Sequence, residues 1–401
     1  MSARILLVIL LIIGGTVGVG APRPAAAQSA FQAHVPAAML VDFETGTILY
    51  EKDADRQLPP SSLVKVMTAA VVFGQIKAGK ITPDTPFMVS VNAWRRGGGP
   101  SHGAAMFAEV NKPVRVEDLL QGAIVVSGND AAIALAEGVA GTEGEFAMRM
   151  NATAKQIGMS NSEFRNPTGF DDPAQLSTAR DMATLAQYVI RTFPEQYKLF
   201  ALPGIDWNKI KQRNRNTLLN AGVGADGLQE AWLKEGGYHL LGSAVQNGQR
   251  LVVVVLGAKS EKERLDEARK LLDWGFQSFH QRVIFAEGAE VGRAQVFGGT
   301  SGSVGLTAKG PVRVLTSRRG GERITARVSY LGPLRAPVAK GTPVGQMEVT
   351  RGDIKVLEVP LFTTDDVPVG SLWERALDGG MTFLGDSTRD LVAQGLAKLH
   401  K

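Results

Sequence analysis

Two β-hairpin signals bracket a long helical region, and this order restricts the fold more than any other feature of the chain. The first is the Glu-Thr-Gly turn at 44–46, and the second is the Asn-Gly-Gln turn at 247–249 between two apolar runs. Helical patterns lie between them, and 263–274 predicts a closing helix. Hairpins at both ends of a helical region predict an antiparallel sheet covered by helices, which is an α+β fold.

The residue pattern of the sequence changes after residue 282. Short runs of β-branched and apolar residues, such as 323–330 and 344–349, are separated by Gly and Pro at fairly regular spacing. This pattern is typical of a small all-β sandwich or barrel. We therefore predict a domain at 28–281, a β-rich C-terminal domain at 282–370 and a tail at 371–401.

The N-terminus has the pattern of an export signal. Arg4 precedes the apolar run 5–13, and small residues at 25–27 form an A-x-A-like cleavage site. We predict a signal peptide at 1–27 with cleavage after Ala27, and hence a periplasmic protein. An uncleaved anchor is the alternative, although the apolar run is short.

Composition excludes several kinds of site. The chain has no cysteine, so disulfides and thiolate chemistry are excluded, and its five histidines show no close ligand spacing. The formal net charge of +5 is spread over 401 residues without a dense basic block, which argues against nucleic-acid binding. We expect neither a metal nor a cofactor.

Ser62 and Lys65 are the first candidate catalytic pair. They follow two prolines at a predicted helix start, where Ser61 is expected to act as the N-cap. Residues three apart share a helix face, so the amine of Lys65 can lie over the hydroxyl of Ser62 and take its proton. Alone, the pair is weak evidence, and an ordinary amphipathic helix that carries a solvated lysine explains it better.

Ser127, Gly128 and Asn129 form a second polar group, on a predicted turn between two helices. Ser127 could relay a proton to a leaving amine, and Asn129 could hold a substrate amide by donating and accepting at once. In isolation, the same tripeptide would suit a simple helix-capping turn.

Together these motifs resemble the serine D-alanyl-D-alanine carboxypeptidases, which are low-molecular-mass penicillin-binding proteins of peptidase family S11. The resemblance runs in order from about 36 to 280, and less specifically through the β-rich part. Its main stretches are 41–51, 60–68, 116–120, 127–132, 164–169, 177–181, 214–216, 226–228 and 272–276.

The resemblance implies a β-lactamase/transpeptidase-like domain followed by the family's C-terminal domain. It also implies a hydrolase that acts on peptidoglycan stem peptides, and hence a role in cell-wall organisation and cell shape. Ser62 would be the nucleophile, Lys65 the base and Ser127 the proton relay, with β-lactams as covalent inhibitors. Asn129 would bind substrate, and Arg264 matches a family arginine that helps to hold the substrate carboxylate.

The chain departs from the family pattern at its third motif. Where the family has Lys-Thr-Gly, this sequence has Gln229, Glu230 and Ala231. Gln229 keeps a hydrogen-bond donor for substrate but loses the charge, and Glu230 adds a carboxylate where an anion would dock. Two hypotheses follow: a working carboxypeptidase with altered recognition, or a catalytically impaired penicillin- or peptidoglycan-binding homologue. Another serine hydrolysis, of esters or β-lactams, is a third option.

The tail carries apolar residues among charges, including Leu372, Trp373 and Leu391. In the resembling family this position often holds an amphipathic helix on the outer surface of the inner membrane. We therefore expect weak membrane contact by the tail. A helix packed on the β domain, or a frayed terminus, is the alternative.

Overall fold

A computed structural model of the chain describes residues 5–6, 9–12, 31–318, 323–351, 354–373 and 375. The predicted cleavage point after Ala27, and the tail beyond residue 375, lie outside these residues. In the part of the chain that is described, no helix combines the length and apolarity needed to cross a membrane.

The strands, in chain order, are β1 (Ile5–Leu6), β2 (Ile9–Ile12), β3 (Ala37–Asp42), β4 (Ile48–Lys52), β5 (Pro86–Met88), β6 (Pro113–Arg115), β7 (Gly204–Trp207), β8 (Ile210–Arg213), β9 (Ala225–Leu233), β10 (Gly237–Gln246), β11 (Gln249–Ala258), β12 (Phe279–Phe285), β13 (Gly292–Phe297), β14 (Ser303–Thr307), β15 (Val312–Ser317), β16 (Ile324–Gly332), β17 (Leu334–Arg335), β18 (Pro343–Arg351) and β19 (Ile354–Thr363). The α-helices are α1 (Val64–Lys77), α2 (Val91–Gly97), α3 (Val116–Val125), α4 (Asn129–Ala140), α5 (Glu143–Ile157), α6 (Ala179–Thr192), α7 (Pro194–Tyr197) and α8 (Glu261–Ser278).

The first compact unit, Pro24–Phe279, is built on an antiparallel sheet with the order β4-β3-β11-β10-β9. The central strand β11 is apolar on both faces because both are covered. Val252 and Val254 point into the core that contains α1, whereas Leu251 and Val253 point into the core that contains α8. Strand β9 lies at the edge of this sheet, so one side of its backbone faces away from β10.

Helix α1 runs through the middle of the larger core. All its residues from Val64 to Phe73 are buried, including the polar Lys65 and Thr68, as expected for a helix that other elements surround on every side. The turn Ser61–Leu63 at its N-terminus packs against β9. This position brings the predicted nucleophile to the free edge of the sheet.

The second unit joins β1 and β2 to the chain from His280 onward, and its described residues between 280 and 369 form an all-β domain with its own core. Its larger sheet has the order β1-β16-β18-β19-β14-β13-β17, with β2 also pairing with β16, and β12 pairs separately with β15. The two units divide between Phe279 and His280, close to the boundary predicted at 282. The predicted fold class, a helix-covered antiparallel sheet followed by an all-β domain, is confirmed.

Candidate active site

The turn before α1 differs from the expectation that Ser61 is an N-cap. Ser61 has a φ of 48°, Pro60 occupies the N-cap position, and no side chain caps this turn. The hydroxyl of Ser61 instead donates to the backbone oxygen of Trp232 on β9, at 2.9 Å. A hydroxyl that reaches across to a strand is not free to cap its own helix. The predicted cap is therefore wrong, and Ser61 ties the helix start to the sheet edge.

Ser62 and Lys65 meet as the helical spacing predicts. The Nζ of Lys65 lies 3.2 Å from the Oγ of Ser62 and donates to the backbone oxygen of Thr168 at 2.6 Å. Lys65 is fully buried, and this burial lowers its pKa to about 7, assisted by the positive charge of Arg215 and opposed by the negative charge of Asp130. A lysine with this pKa is partly neutral near neutral pH and can accept a proton from the serine.

The acceptor for Lys65 belongs to a tightly bonded loop. Asn166 Oδ1 accepts from the backbone nitrogen of Gly169 at 2.8 Å and from the hydroxyl of Thr168 at 2.9 Å. Gly169 has a φ of 85°, and a side chain there would overlap the backbone of Ser61. The loop therefore needs glycine to approach the nucleophile turn closely enough for Thr168 to hold the lysine.

Ser127 lies on the turn between α3 and α4 in an uncommon conformation. Its φ is 58°, the residue is 4% exposed, and its Oγ has no hydrogen-bond partner among the residues that the structure describes. Left-handed backbone at a non-glycine residue is strained, and such strain concentrates at functional sites. A buried hydroxyl without a partner is available to a ligand or a proton.

Asp130 holds the 104–108 segment against this turn. Its carboxylate accepts from the backbone nitrogens of Met106 at 2.9 Å and Ala108 at 3.0 Å, and burial raises its pKa. Asn129, its neighbour, is also buried, and its backbone nitrogen donates to the oxygen of Ala104 at 2.8 Å. Asp130 therefore anchors the 104–108 segment beside the two candidate residues Ser127 and Asn129.

The pleat of β9 separates the residues of the altered third motif. Gln229 pairs with Leu241, which packs in the core with α1, whereas Glu230 pairs with Leu240, which packs in the core with α8. Directly paired residues share a face of the sheet. Gln229 thus faces the side of α1, while Glu230 faces the opposite side, towards α8.

Glu230 forms a buried ion pair with Arg264 on α8. The side chains are 5% and 6% exposed, and the other oxygen of Glu230 accepts from the hydroxyl of Thr217 at 2.6 Å. Arg264, which the family resemblance assigns to the substrate carboxylate, already has a carboxylate partner within the chain. The charges of Glu230 and Arg264 therefore compensate each other within the fold.

Sequence reasoning did not find three further contributors: Trp232, Thr168 and Arg215. The backbone oxygen of Trp232 points to the free edge of β9, where Ser61 donates to it, and the N–H of the same residue points the same way. Thr168 holds Lys65, and Arg215 acts on Lys65 through its charge. The 164–169 and 214–216 stretches stood out in the sequence, but no local pattern assigned a role to them.

Comparisons with known proteins agree with this architecture. Residues 24–260 match the family model of D-alanyl-D-alanine carboxypeptidases, and 279–369 match the C-terminal domain of penicillin-binding protein 5. The chain is 37% identical to the D-alanyl-D-alanine carboxypeptidase DacC of Escherichia coli, over 85% of this chain and 86% of that protein.

Solved structures show the same relationship. Penicillin-binding protein 5 from Haemophilus influenzae is 35% identical, with a TM-score of 0.75 over 85% of this chain and 99% of that one. Penicillin-binding protein D2 from Listeria monocytogenes, in the ampicillin-bound form, is 30% identical, with a TM-score of 0.55 over 61% of this chain and 98% of that one. The protein therefore belongs to the D-alanyl-D-alanine carboxypeptidase family.

Proposed function

We propose that this protein is a serine-type D-Ala-D-Ala carboxypeptidase that removes the terminal D-alanine from peptidoglycan stem peptides. The observation that carries the proposal is the fully buried Lys65, whose Nζ lies 3.2 Å from the Oγ of Ser62. The family membership and the names of the relatives support the substrate class. They do not support the alternative of a catalytically impaired homologue.

The geometry supports a two-step acyl transfer. Neutral Lys65 takes the proton of Ser62 as the serine oxygen attacks the carbonyl before the terminal D-alanine. The backbone N–H groups of Ser62, at the start of the helical turn, and Trp232, at the free edge of β9, stabilise the oxyanion. When the tetrahedral intermediate collapses, Ser127 donates a proton to the leaving amine and is reprotonated from Lys65.

Hydrolysis of the acyl-enzyme then uses the same groups. A water molecule replaces D-alanine, and Lys65 takes its proton as the water oxygen attacks the acyl carbonyl. Lys65 then passes this proton to the oxygen of Ser62 as the ester bond breaks, which releases the shortened peptide and regenerates the free serine. Asn129, next to Ser127, holds the amide of the peptide. A β-lactam would acylate Ser62 in the same way, as the ampicillin-bound relative suggests.

We further propose that the protein is exported to the periplasm and that its tail touches the outer surface of the inner membrane. The positive start, apolar run and small-residue site at 1–27 support export. The exposed Leu372 and Trp373 at the beginning of the tail support weak surface contact.

The direct test is acylation followed by turnover. Penicillin treatment is expected to add one drug mass to the protein, and a peptide ending in D-Ala-D-Ala is expected to release D-alanine. Intact-mass spectrometry and an amino-acid release assay measure the two results. Ser62→Ala is the control and should show neither. Failure of the wild-type protein in both assays, or an adduct that persists in Ser62→Ala, would contradict the proposal.

The activity should rise with pH through the pKa of Lys65. Since the base must be neutral, kcat/KM is expected to increase as pH rises through about 7 and then level off. Rates at limiting substrate from about pH 5 to 9, with circular dichroism to exclude acid unfolding, give the profile. A limb with the unperturbed lysine value, near 10, would show that burial does not tune this amine.

A further inference from the structure

The segment Asn214–Thr217 crosses between the two walls of the active site. The backbone nitrogen of Arg215 donates to the oxygen of Val125 at 3.0 Å, just before Ser127. Both the backbone nitrogen and the hydroxyl of Thr217 donate to Glu230, at 3.0 and 2.6 Å, beside Gln229. Arg215 is therefore anchored between the turn that carries Ser127 and the strand that carries Gln229.

Unpartnered polar atoms lie on both sides of Arg215. In the described part of the chain, the Oγ of Ser127 and the Oε1 of Gln229 have no hydrogen-bond partners, and their residues are only 4% and 2% exposed. The Nδ2 of Asn216, the next residue in the chain, is also buried, and no described residue accepts a hydrogen bond from it. Unsatisfied buried polar atoms are costly and rare, so a group of them beside a nucleophile points to a polar ligand.

Of the three cations Lys65, Arg215 and Arg264, Arg215 is the one whose side chain has no hydrogen-bond or ion-pair partner among the described residues. Arg264 is paired with Glu230, and Lys65 is engaged with Ser62 and Thr168. Arg215 is exposed, and no ion pair among the described residues includes it. Its charge nevertheless reaches the catalytic pair, because it helps to lower the pKa of Lys65.

We propose that Arg215 binds the terminal carboxylate of the substrate. Arg215 would supply the positive charge for the substrate carboxylate, because Gln229 is uncharged and the charge of Arg264 is already neutralised by Glu230. A guanidinium binds a carboxylate through two parallel hydrogen bonds, a geometry that lysine does not offer. The proposal rests on the proposed function, because the carboxylate belongs to the D-alanine that is released.

The test compares two peptides that differ only in this carboxylate. One ends in D-Ala-D-Ala as the free acid, and the other carries a C-terminal amide. Release of D-alanine and of D-alaninamide is measured at about pH 9, well above the pKa of about 7 of Lys65. The variants are Arg215→Gln, Arg215→Lys and, as the matched control, Arg213→Gln, which removes the exposed arginine at the end of β8, two residues before Arg215.

The wild-type protein is expected to prefer the free acid. Arg215→Gln should raise KM for the free acid about tenfold or more while leaving the amide peptide unchanged, since hydrogen bonds between charged groups are strong. Arg215→Lys should recover part of the loss, and Arg213→Gln should behave like wild type. A pH profile of Arg215→Gln on the amide peptide should also show its acid limb at higher pH, because the cation no longer lowers the pKa of Lys65.

Three outcomes overturn the inference. Arg215→Gln could slow both peptides equally, which would indicate a structural role, or it could leave the free acid unaffected. Arg213→Gln could reproduce its effect, which would indicate a general influence of surface charge. If instead the wild-type protein releases D-alanine from neither peptide, the proposed function itself fails and this subsite falls with it.

Discussion

Lys65→Met is expected to abolish acylation of Ser62 and, at the same time, to stabilise the fold. Loss of the base should lower kcat/KM by about 10³-fold or more, because the serine then has no group to accept its proton. Methionine has a similar length and no charge, so it fills the same buried space among apolar neighbours.

The gain in stability follows from the sign of the pKa shift. Burial holds the pKa of Lys65 at about 7 in the folded protein, below the value near 10.5 of an exposed lysine. The folded state therefore binds this proton less readily than the unfolded state does. The resulting penalty is complete below pH 7, diminishes as pH rises towards 10.5 and vanishes above it.

Lys65→Met removes this penalty but also removes the hydrogen bond to Thr168. We expect the free energy of unfolding to increase by about 1–3 kcal/mol at pH 6, with a smaller increase near pH 10. Urea unfolding at the two pH values measures it. Lys77→Met, at the exposed end of the same helix, should change neither activity nor the pH dependence. An active Lys65→Met protein would remove Lys65 from the mechanism.

Glu230→Ala is expected to destabilise the protein by about 3–5 kcal/mol, since it leaves the buried charge of Arg264 without a partner. It also leaves the hydroxyl and backbone nitrogen of Thr217 without their acceptor. Urea unfolding measures the loss.

A double-mutant cycle measures the interaction energy between Glu230 and Arg264 separately from the effect of each single substitution. Glu230→Ala combined with Arg264→Ala should cost less than the sum of the two single changes, because no unpaired charge remains. Asp266→Ala is the matched control: its partner Lys262 is on the same helix but exposed, so little change is expected. Additive losses in the cycle would show that Glu230 and Arg264 do not depend on each other.

Glu230 shows that the sequence of a strand does not determine which of its faces meets the substrate. By its place in the sequence, Glu230 substitutes for a substrate-binding residue and is expected to repel an anion. In the structure it faces α8 and pairs with an arginine 34 residues away. The alternation of a strand is local, but which face meets the substrate depends on the sheet that it joins. The charge change is visible in the sequence, whereas its compensation is not.

The contact between Ser61 and Trp232, next to the nucleophile, also depends on packing and not on the local sequence. The two prolines and the apolar run locate the helix start, but the expected cap on Ser61 is wrong because its hydroxyl bonds to Trp232, 171 residues further along the chain. A capping rule considers only the neighbouring backbone, whereas a buried hydroxyl takes whichever acceptor the packing places nearby.

The sequence by itself determined the local chemistry and the class of fold. Residues three apart on a helix must share a face, so their spacing alone paired Ser62 with Lys65, and the hairpin and helix order implied a covered antiparallel sheet. Only the tertiary structure decided the electrostatics of the site. Burial set the pKa of Lys65, β9 turned Glu230 towards Arg264, and a crossing segment placed Arg215 between Ser127 and Gln229. These properties depend on distances between segments far apart in the chain, which packing determines and no local pattern encodes.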